Sequence, residues 1–399
     1  MKSKLKIAYL LHGLGIGGAG TSMLLLLKSI QNMPYDKFGY STSDGSNVAK
    51  SEYLKYLKDI KPLDVENIYN DASGAFTSEI KFKDIIQKNY ISFVDELKAN
   101  QIDILHINST VLPHILKAVK ENSNIKIVCH VRELLPKYET GLVKDFMIQN
   151  INNYSDAIIC ISDNEAKPFV VHKNLHILAN PFDFSITDNI PNGLFRSKFS
   201  IEKDEVLIGM LGKFKESKGQ LLFVKALKHI KEQKSPIKFK FVIMGAQFNP
   251  LWKVTAKKLL NKFDFGYEFK KYVKKNKLKE DVILLPYEFN FFENLVDMDI
   301  IVRPSLAGDP WGRDIIESMA FNKPIIATGN SEFYVKPNIN GYLIKNNDPI
   351  EMAGKIIELA KNKNKIKIFG DNAFKTVYEK CNVDNYGEKI QNIYNSIST

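Results

Sequence analysis

Long apolar runs are missing from this sequence of 399 residues. The apolar part of the opening segment MKSKLKIAYLLHGLGIGG spans only residues 7–11 before glycines begin, and no stretch elsewhere approaches the ~20 apolar residues of a membrane-spanning helix. That opening reads as a first β-strand and not as a secretion signal, and the protein as cytoplasmic. Cysteine is scarce as well. Cys129, Cys160 and Cys381 are odd in number and far apart, and two of them sit inside the strand-like runs KIVCHV and AIICIS. This excludes a disulfide framework and fits a reducing compartment. Glycine (22) and proline (15) are too few for a fibrous or low-complexity chain, and no internal repeat is present. His12, His106, His114, His172, His176 and His229 are scattered without ligand spacing, so no zinc site is expected.

What is present describes an ordinary folded chain. Hydrophobic residues at 44% and charged residues at 25% are globular values, and a prior of roughly 150 residues per domain gives two or three domains. The net charge of +11 is uneven: residues 1–200 carry 23 Lys and Arg against 21 Asp and Glu, and residues 201–399 carry 33 against 24. Such a bias suits phosphate-bearing ligands, nucleic acid or an anionic membrane surface. Its densest run, 253–279, interleaves Lys with Leu, Phe and Tyr in a helical pattern and reads first as a solvated lysine face.

Short β-branched runs alternate with amphipathic stretches. Strands are expected at 6–11, 102–107, 125–131, 156–161 and 175–179, with helices at 21–30, 85–99, 111–121 and 164–171. Residues 180–204 lose the periodicity and collect Pro, Asn, Asp and Gly, which marks a linker. The alternation restarts with strands at 206–212, 239–245, 282–286, 299–304 and 324–328, and helices near 217–233, 250–277, 312–321, 349–361 and 364–380. Continuous apolar strands separated by helices imply parallel sheets covered on both faces. The expected architecture is two doubly wound, Rossmann-like α/β domains facing each other across a cleft at the carboxyl ends of their strands. The boundaries are 1–183, a linker at 184–204, 205–381, and a last helix at 382–399 that crosses back to the first domain or docks elsewhere.

Three segments hold chemistry. Gly13, Gly15, Gly17, Gly18 and Gly20 follow the first strand, where glycine lets the backbone approach a ligand and the next helix offers amides to an anion. Gly13, Gly15 and Gly18 satisfy G-x-G-x-x-G, but that fingerprint also needs an acid at the end of the second strand. Asp36 precedes its strand and Asp44 follows a weak one, so a plain tight turn explains the glycines equally well. GKFKESKGQ (212–220) places Lys213, Lys215 and Lys218 between a strand end and a helix start, where a diphosphate meets charge and amides together. RPSLAGDPWGRDIIESMAFNKPIIAT (303–328) puts Asp309 in a loop and Glu317 eight residues later on a helix, a pair suited to sugar and ribose hydroxyls.

In this order the pieces resemble a family 4 retaining glycosyltransferase of the GT-B fold, over nearly the whole chain. GLGIGGAG (13–20) is similar to the family's opening glycine loop, and Gly212, Lys213, Lys218 and Gly219 to its basic pair. Asp309 and Glu317 are similar to its Glu-x7-Glu signature, and SDAIICIS, LANPFD and NGYLI fall where the family has like phrases. The resemblance implies that Glu317 holds the ribose of a nucleotide-sugar donor and that Asp309 contacts the transferred sugar. It implies Lys213 and Lys218 on the diphosphate, Gly17 and Gly18 against the phosphates, and Trp311, Gly312 and Arg313 around the sugar. His130 matches the family's histidine near the sugar, with Arg132 and Glu133 as contacts to acceptor or phosphate, and His106 is expected to face the cleft. Asp309, His130, Glu317 and Lys218 are thus the implied catalytic set.

Two departures from the family pattern stand out. Lys213 replaces the usual Arg and loses the bidentate fork, and Asp309 replaces the usual Glu and shortens the reach. Asp297 and Asp299 form a D-x-D, but their place between a helix end and a strand reads as helix termination, so no metal and no other cofactor is expected. The implied reaction moves a sugar from a UDP- or GDP-linked donor to a hydroxyl with retention, by leaving-group stabilisation and same-face attack. A glycan or lipid-linked glycan of the bacterial surface is the implied acceptor; a peripheral contact with the inner membrane face is admitted, and nucleic acid is not expected. Three alternatives stay open: a sugar-nucleotide epimerase of GT-B architecture using Asp309 and His130, a nicotinamide-dependent oxidoreductase, and a non-enzymatic basic module for anions or membrane surfaces.

Overall fold

A computed structural model describes residues 4–15, 17–70, 75–76, 79–135, 141–260, 262–286 and 291–398. By its internal contacts the chain divides into two units, residues 1–183 with 380–399, and residues 184–379. Among the described residues no helix is long and apolar enough to cross a membrane.

The first unit contains β1 (Leu5–Leu11), β2 (Tyr35–Ser41), β3 (Ile60–Pro62), β4 (Tyr69–Asn70), β5 (Ala75–Phe76), β6 (Ile104–Ile107), β7 (Lys126–Val131), β8 (Ala157–Cys160) and β9 (Leu175–Ile177). Seven of these form a sheet in the order β3-β2-β1-β6-β7-β8-β9, and β4 and β5 pair separately. Every pairing in the large sheet is parallel. The reason lies in the strands themselves: β1, β6, β7 and β8 are apolar on both faces, and only helices on both sides can bury them. On one side Ile107, Ile115, Leu116 and Val119 join a core with Val94 and Leu97. On the other, Leu26 and Leu27 of the helix Gly18–Ser29 meet Tyr386, Ile390 and Tyr394 of the last helix, Val383–Ser398.

β3 escapes sequence reading, and β2 is legible only as the weak strand before Asp44, because YDKFGYS carries charge inside a strand. Asp36 lies within β2 and not before it, paired to Lys58 at 2.8 Å, while the buried Lys37 donates from Nζ to the carbonyl of Ile30 at 3.3 Å. The strand ends on Ser41, and Asp44 lies in an exposed turn beyond it, so no carboxylate occupies the strand end where a dinucleotide fold holds ribose.

The second unit contains β10 (Val206–Leu211), β11 (Phe239–Met244), β12 (Val282–Leu285), β13 (Ile300–Arg303), β14 (Ile325–Thr328) and β15 (Gly341–Ile344), in the order β12-β11-β10-β13-β14-β15. The expected helix at 250–277 is two helices, Leu251–Leu259 and Phe265–Lys275, because Asp264 caps the second by accepting from the Tyr267 amide at 2.9 Å. The stretch at 85–99 is likewise two helices, Glu79–Gln87 and Ile91–Ala99. Within 180–204 the chain forms the 3-10 turn Phe184–Asn189 and the helix Leu194–Lys198.

That short helix explains the D-x-D pair. Asp297 is not a helix terminator: it accepts from the amides of Gly193 (2.6 Å), Phe195 (2.8 Å) and Arg196 (3.2 Å), capping the start of the helix. Asp299 accepts from the Leu207 amide and from the Arg196 guanidinium, both at 2.7 Å. Asp297→Ala is therefore expected to lower stability by about 1–2 kcal/mol, as lost caps do, with turnover per folded molecule unchanged. Denaturant titration beside an activity assay checks both halves.

Each sheet changes direction at one point. The chain works outward from β1 to β3 and returns beside β1 as β6; it works outward from β10 to β12 and returns beside β10 as β13. The loops leaving the carboxyl ends of such strand pairs diverge to opposite faces and leave a crevice for ligands. Gly219 shows how tightly the second crevice is built: it sits at φ 81°, and a Cβ there would lie 1.7 Å from the Pro304 carbonyl oxygen at the end of β13.

Candidate functional site

In the second unit the crevice holds a cavity of about 130 Å³. Its apolar lining comes from strand ends and the segments after them, Leu211 on β10, Met244 on β11, Leu285 at the end of β12, Pro286 just after it, and Phe291. Its polar lining is Asn294, Asp314 and Glu317, the last two on the helix Arg313–Ala320 that follows β13. Ile315, Ile316, Met319 and Ala320 anchor that helix in the unit, and this brings the carboxylate of Glu317 to the cavity. A flat apolar ring with a polar rim of hydroxyls is the ligand chemistry such a cavity accepts.

Burial pushes Glu317 up to about 7, against the pull of Arg313, whose Nε donates to Glu317 Oε1 at 2.9 Å. Beside the cavity, Gly212 opens the loop to the lysines. Gln220 donates to the Lys213 carbonyl at 2.9 Å, and residues 216–218 form a 3-10 turn ending at Lys218. The Leu306 amide donates to the Ser217 carbonyl at 3.0 Å, so the loop after β10 and the loop after β13 are fastened together. Lys213 and Lys218 thus stand on the loop bordering the cavity, outside its immediate lining.

Asp309 is not part of the cavity lining that Glu317 joins. Its carboxylate accepts from Arg303 Nη2 at 2.9 Å and from the Ser305 hydroxyl, and its carbonyl accepts from Arg303 Nε at 2.7 Å. Arg303 also donates to Asp314. Burial draws the Arg303 pKa down, and Asp314 and Asp309 more than offset it, so the guanidinium stays charged. A buried arginine with two carboxylates therefore shapes the loop that carries Trp311 and Gly312 to the helix start at Arg313. Trp311 is buried in that loop. The signal that could have found Arg303 is its position: a cation ending the apolar strand DIIVRP needs a counter-charge.

In the first unit, Gly17 and Gly18 open the helix Gly18–Ser29 beside the carboxyl end of β1, with the Thr21 amide donating to the Gly17 carbonyl at 2.8 Å. His130 is the penultimate residue of β7 and is fully buried. Arg132 Nη2 lies 3.3 Å from His130 Nδ1, and because a guanidinium only donates, Nδ1 accepts and the ring proton belongs on Nε2. Nε2 is buried without a partner in its unit. Burial, then Arg132 and His106, hold the His130 pKa well below the usual range, so the ring is a neutral donor and not an acid.

His106 does not face open space. It is fully buried, with Nδ1 at 2.7 Å from the Tyr394 hydroxyl and Nε2 at 3.3 Å from His130 Nδ1, and burial pushes its pKa down to about 3. Arg132 also donates from Nε to Asn108 at 2.6 Å and from Nη1 to Asn180. Glu133 accepts from the Ser109 hydroxyl (2.7 Å), the Thr110 amide (3.0 Å) and the Thr110 hydroxyl (2.8 Å), which makes it a brace between the ends of β6 and β7. Among the described residues no group of three or more His, Cys, Asp or Glu side chains is placed to hold a metal ion.

Comparison with known proteins follows the division of the chain. Residues 193–376 match the family model described as glycosyl transferases group 1. A poly(ribitol-phosphate) alpha-N-acetylglucosaminyltransferase of Staphylococcus aureus is 32% identical over 130 residues, which is 32% of this chain and 26% of that protein. An uncharacterized glycosyltransferase of Methanocaldococcus jannaschii is 26% identical over 261 residues, 61% of this chain and 59% of that one. The chain therefore spans less than two thirds of either curated relative. The crystal structure of Anabaena HepE in complex with UDP superimposes with a TM-score of 0.78 at 17% identity, covering 98% of this chain and 100% of that chain. The second unit thus matches the group 1 glycosyl transferases, and the chain as a whole has the two-unit α/β fold of solved glycosyltransferases of the GT-B type.

Proposed function

We propose that the protein is a retaining glycosyltransferase that takes a sugar from a uridine diphosphate donor and passes it to a hydroxyl of a surface glycan. One observation carries the reading: a cavity with apolar strand-end walls has Glu317 and Asp314 in its lining and the Lys213–Lys218 loop at its border. The apolar walls take the base, ionised Glu317 accepts from the ribose hydroxyls, and the two lysines take the diphosphate. Their charge offsets the negative charge that grows on the departing nucleotide, the task a metal performs elsewhere. Transfer is therefore expected to proceed in EDTA.

The amides at Trp311, Gly312 and Arg313, where a helix begins, are assigned to the sugar hydroxyls or phosphate. Asp309 is assigned the shaping of that loop through Arg303 and Ser305, in place of a sugar contact. In the first unit, the neutral Nε2–H of His130 donates to a hydroxyl, and the amides behind Gly17 and Gly18 suit phosphate. UDP as the nucleotude moiety is supported by the Anabaena protein solved with UDP and with UDP-glucose. A polymeric acceptor is supported by the Staphylococcus aureus relative, named for a poly(ribitol-phosphate) substrate and an alpha linkage.

The test is turnover with UDP-linked sugars and hydroxyl acceptors in EDTA, read as UDP release and as the anomeric configuration of the product. Acceptor-stimulated release with an α product from an α donor is expected. An inverted product, or an absolute need for a divalent cation, overturns the mechanism. An epimeric sugar nucleotide formed without acceptor identifies an epimerase instead.

A further inference from the structure

The donor site leaves the most basic stretch of the chain unused. Residues 251–279 hold ten lysines and two acids, so eight of the eleven net positive charges lie in 29 residues. In the structure this stretch begins as the helix Leu251–Leu259, reached from the carboxyl end of β11, on the side of the sheet where the strand ends also line the cavity. Lysine alone would make it a solvated face. The large apolar side chains among the lysines do not fit that description: Trp252 is 68% exposed, Leu259 82%, Leu260 65% and Phe263 59%.

Trp252 and Leu259 are seven residues apart, two turns of one helix, and so share a face. Lys253 Nζ lies 5.3 Å from the Trp252 ring, and Lys262 is exposed beside Phe263. The two acids are both matched within the stretch, Asp264 by Lys257 at 2.9 Å and Glu268 by Lys271 at 3.8 Å. The patch is rooted rather than loose: Phe248, Phe265 and Phe269 pack on Phe214 with ring centroids 4.8, 5.1 and 5.2 Å apart. Phe214 stands between Lys213 and Lys215 in the loop bordering the cavity.

Aromatic and aliphatic tips ringed by lysine are the composition of a segment that lies in the headgroup region of an anionic bilayer. A polyanionic glycan would use the lysines and leave the tips in water, and a second copy would bring like charge against like charge. We infer that Trp252, Leu259, Leu260 and Phe263 enter the surface of an anionic lipid bilayer, with the neighbouring lysines on the lipid phosphates. This does not depend on the reading of the donor site.

The experiment uses the full chain with vesicles of phosphatidylcholine alone and with about one quarter phosphatidylglycerol. Cosedimentation with the anionic vesicles is expected, weakened about tenfold or more in Trp252→Ser/Phe263→Ser and in Leu259→Ser/Leu260→Ser. The chain has two tryptophans, and Trp311 is buried, so quenching of fluorescence by acyl-brominated lipid reports Trp252. The substituted side chains are exposed, and an unchanged melting curve of each variant separates lost docking from lost folding. Undiminished vesicle binding by both variants overturns the inference. So does binding to soluble polyphosphate without binding to vesicles, or a dimer that the same substitutions dissociate.

Discussion

Glu317→Gln is expected to weaken uridine nucleotide binding by about ten- to a hundredfold, the loss of one or two charge-assisted hydrogen bonds from a buried carboxylate. Glutamine keeps the shape and still accepts from Arg313, so the effect reads charge and not packing. The pH dependence is the sharper test. Burial raises Glu317 to about 7, and ribose hydroxyls donate best to the ionised form. Affinity should then rise from pH 6 to 8, approaching about tenfold per unit below the pKa and levelling above it. The glutamine variant should be weak and flat across the same range.

For stability the sign is opposite. The pKa in the folded protein lies above the unfolded value, so the contribution of Glu317 is fully present below about 4.5 and is lost as pH rises through about 7. Calorimetric titration of both proteins with UDP from about pH 5.5 to 8.5 checks the binding half. A wild-type affinity that ignores pH removes Glu317 from the ribose.

Arg303→Met should cost about 3–5 kcal/mol, because it strands two poorly solvated carboxylates, Asp309 in the loop and Asp314 in the first turn of the helix after it. In a unit of this size that is a fall in melting temperature of roughly 6–20 °C. Arg303→Lys keeps the charge but not the fork that reaches both carboxylates and the Asp309 carbonyl, so it should fall between wild type and Met. A loss under about 1 kcal/mol for Met would mean that the loop carrying Trp311 and Gly312 is held by something else.

The parts legible in the sequence were those that obey a local rule. Apolar runs such as VLIGML and FKFVIM must be interior strands, and the alternation with helices then requires parallel pairing. The second strand was only weakly legible because charge interrupts it: Lys37 of β2 is buried where Ile30 and Gln31, just past the helix Gly18–Ser29, offer it carbonyls. The break at Asp264 was not legible, since a capping carboxylate outweighs a helical pattern that continues across it.

At the site, the same limit applies to contacts between distant segments. Tyr394 is 288 residues from His106, and no periodicity joins them; the pairing exists because the last helix packs on the first sheet. His106, read as facing the cleft, is fully buried between Tyr394 and His130. The engagement of Asp309 by Arg303 and Ser305 could likewise not be read from its spacing to Glu317. Spacing gives position along the chain, whereas the direction of a loop carboxylate depends on which buried cation it must satisfy.

The central claim is that the cavity at the ends of β10, β11 and β12 takes a nucleoside diphosphate without a metal. The most direct measurement is thermal melting of the protein against UDP, GDP, ADP, CMP, their sugar conjugates and NAD, with and without EDTA. UDP and its conjugates should raise the melting temperature equally in both conditions, with a ligand at a hundred times its dissociation constant adding about 2.7 kcal/mol, and Glu317→Gln should lose most of the shift. A shift with NAD alone, or one with UDP that EDTA abolishes, would contradict the claim.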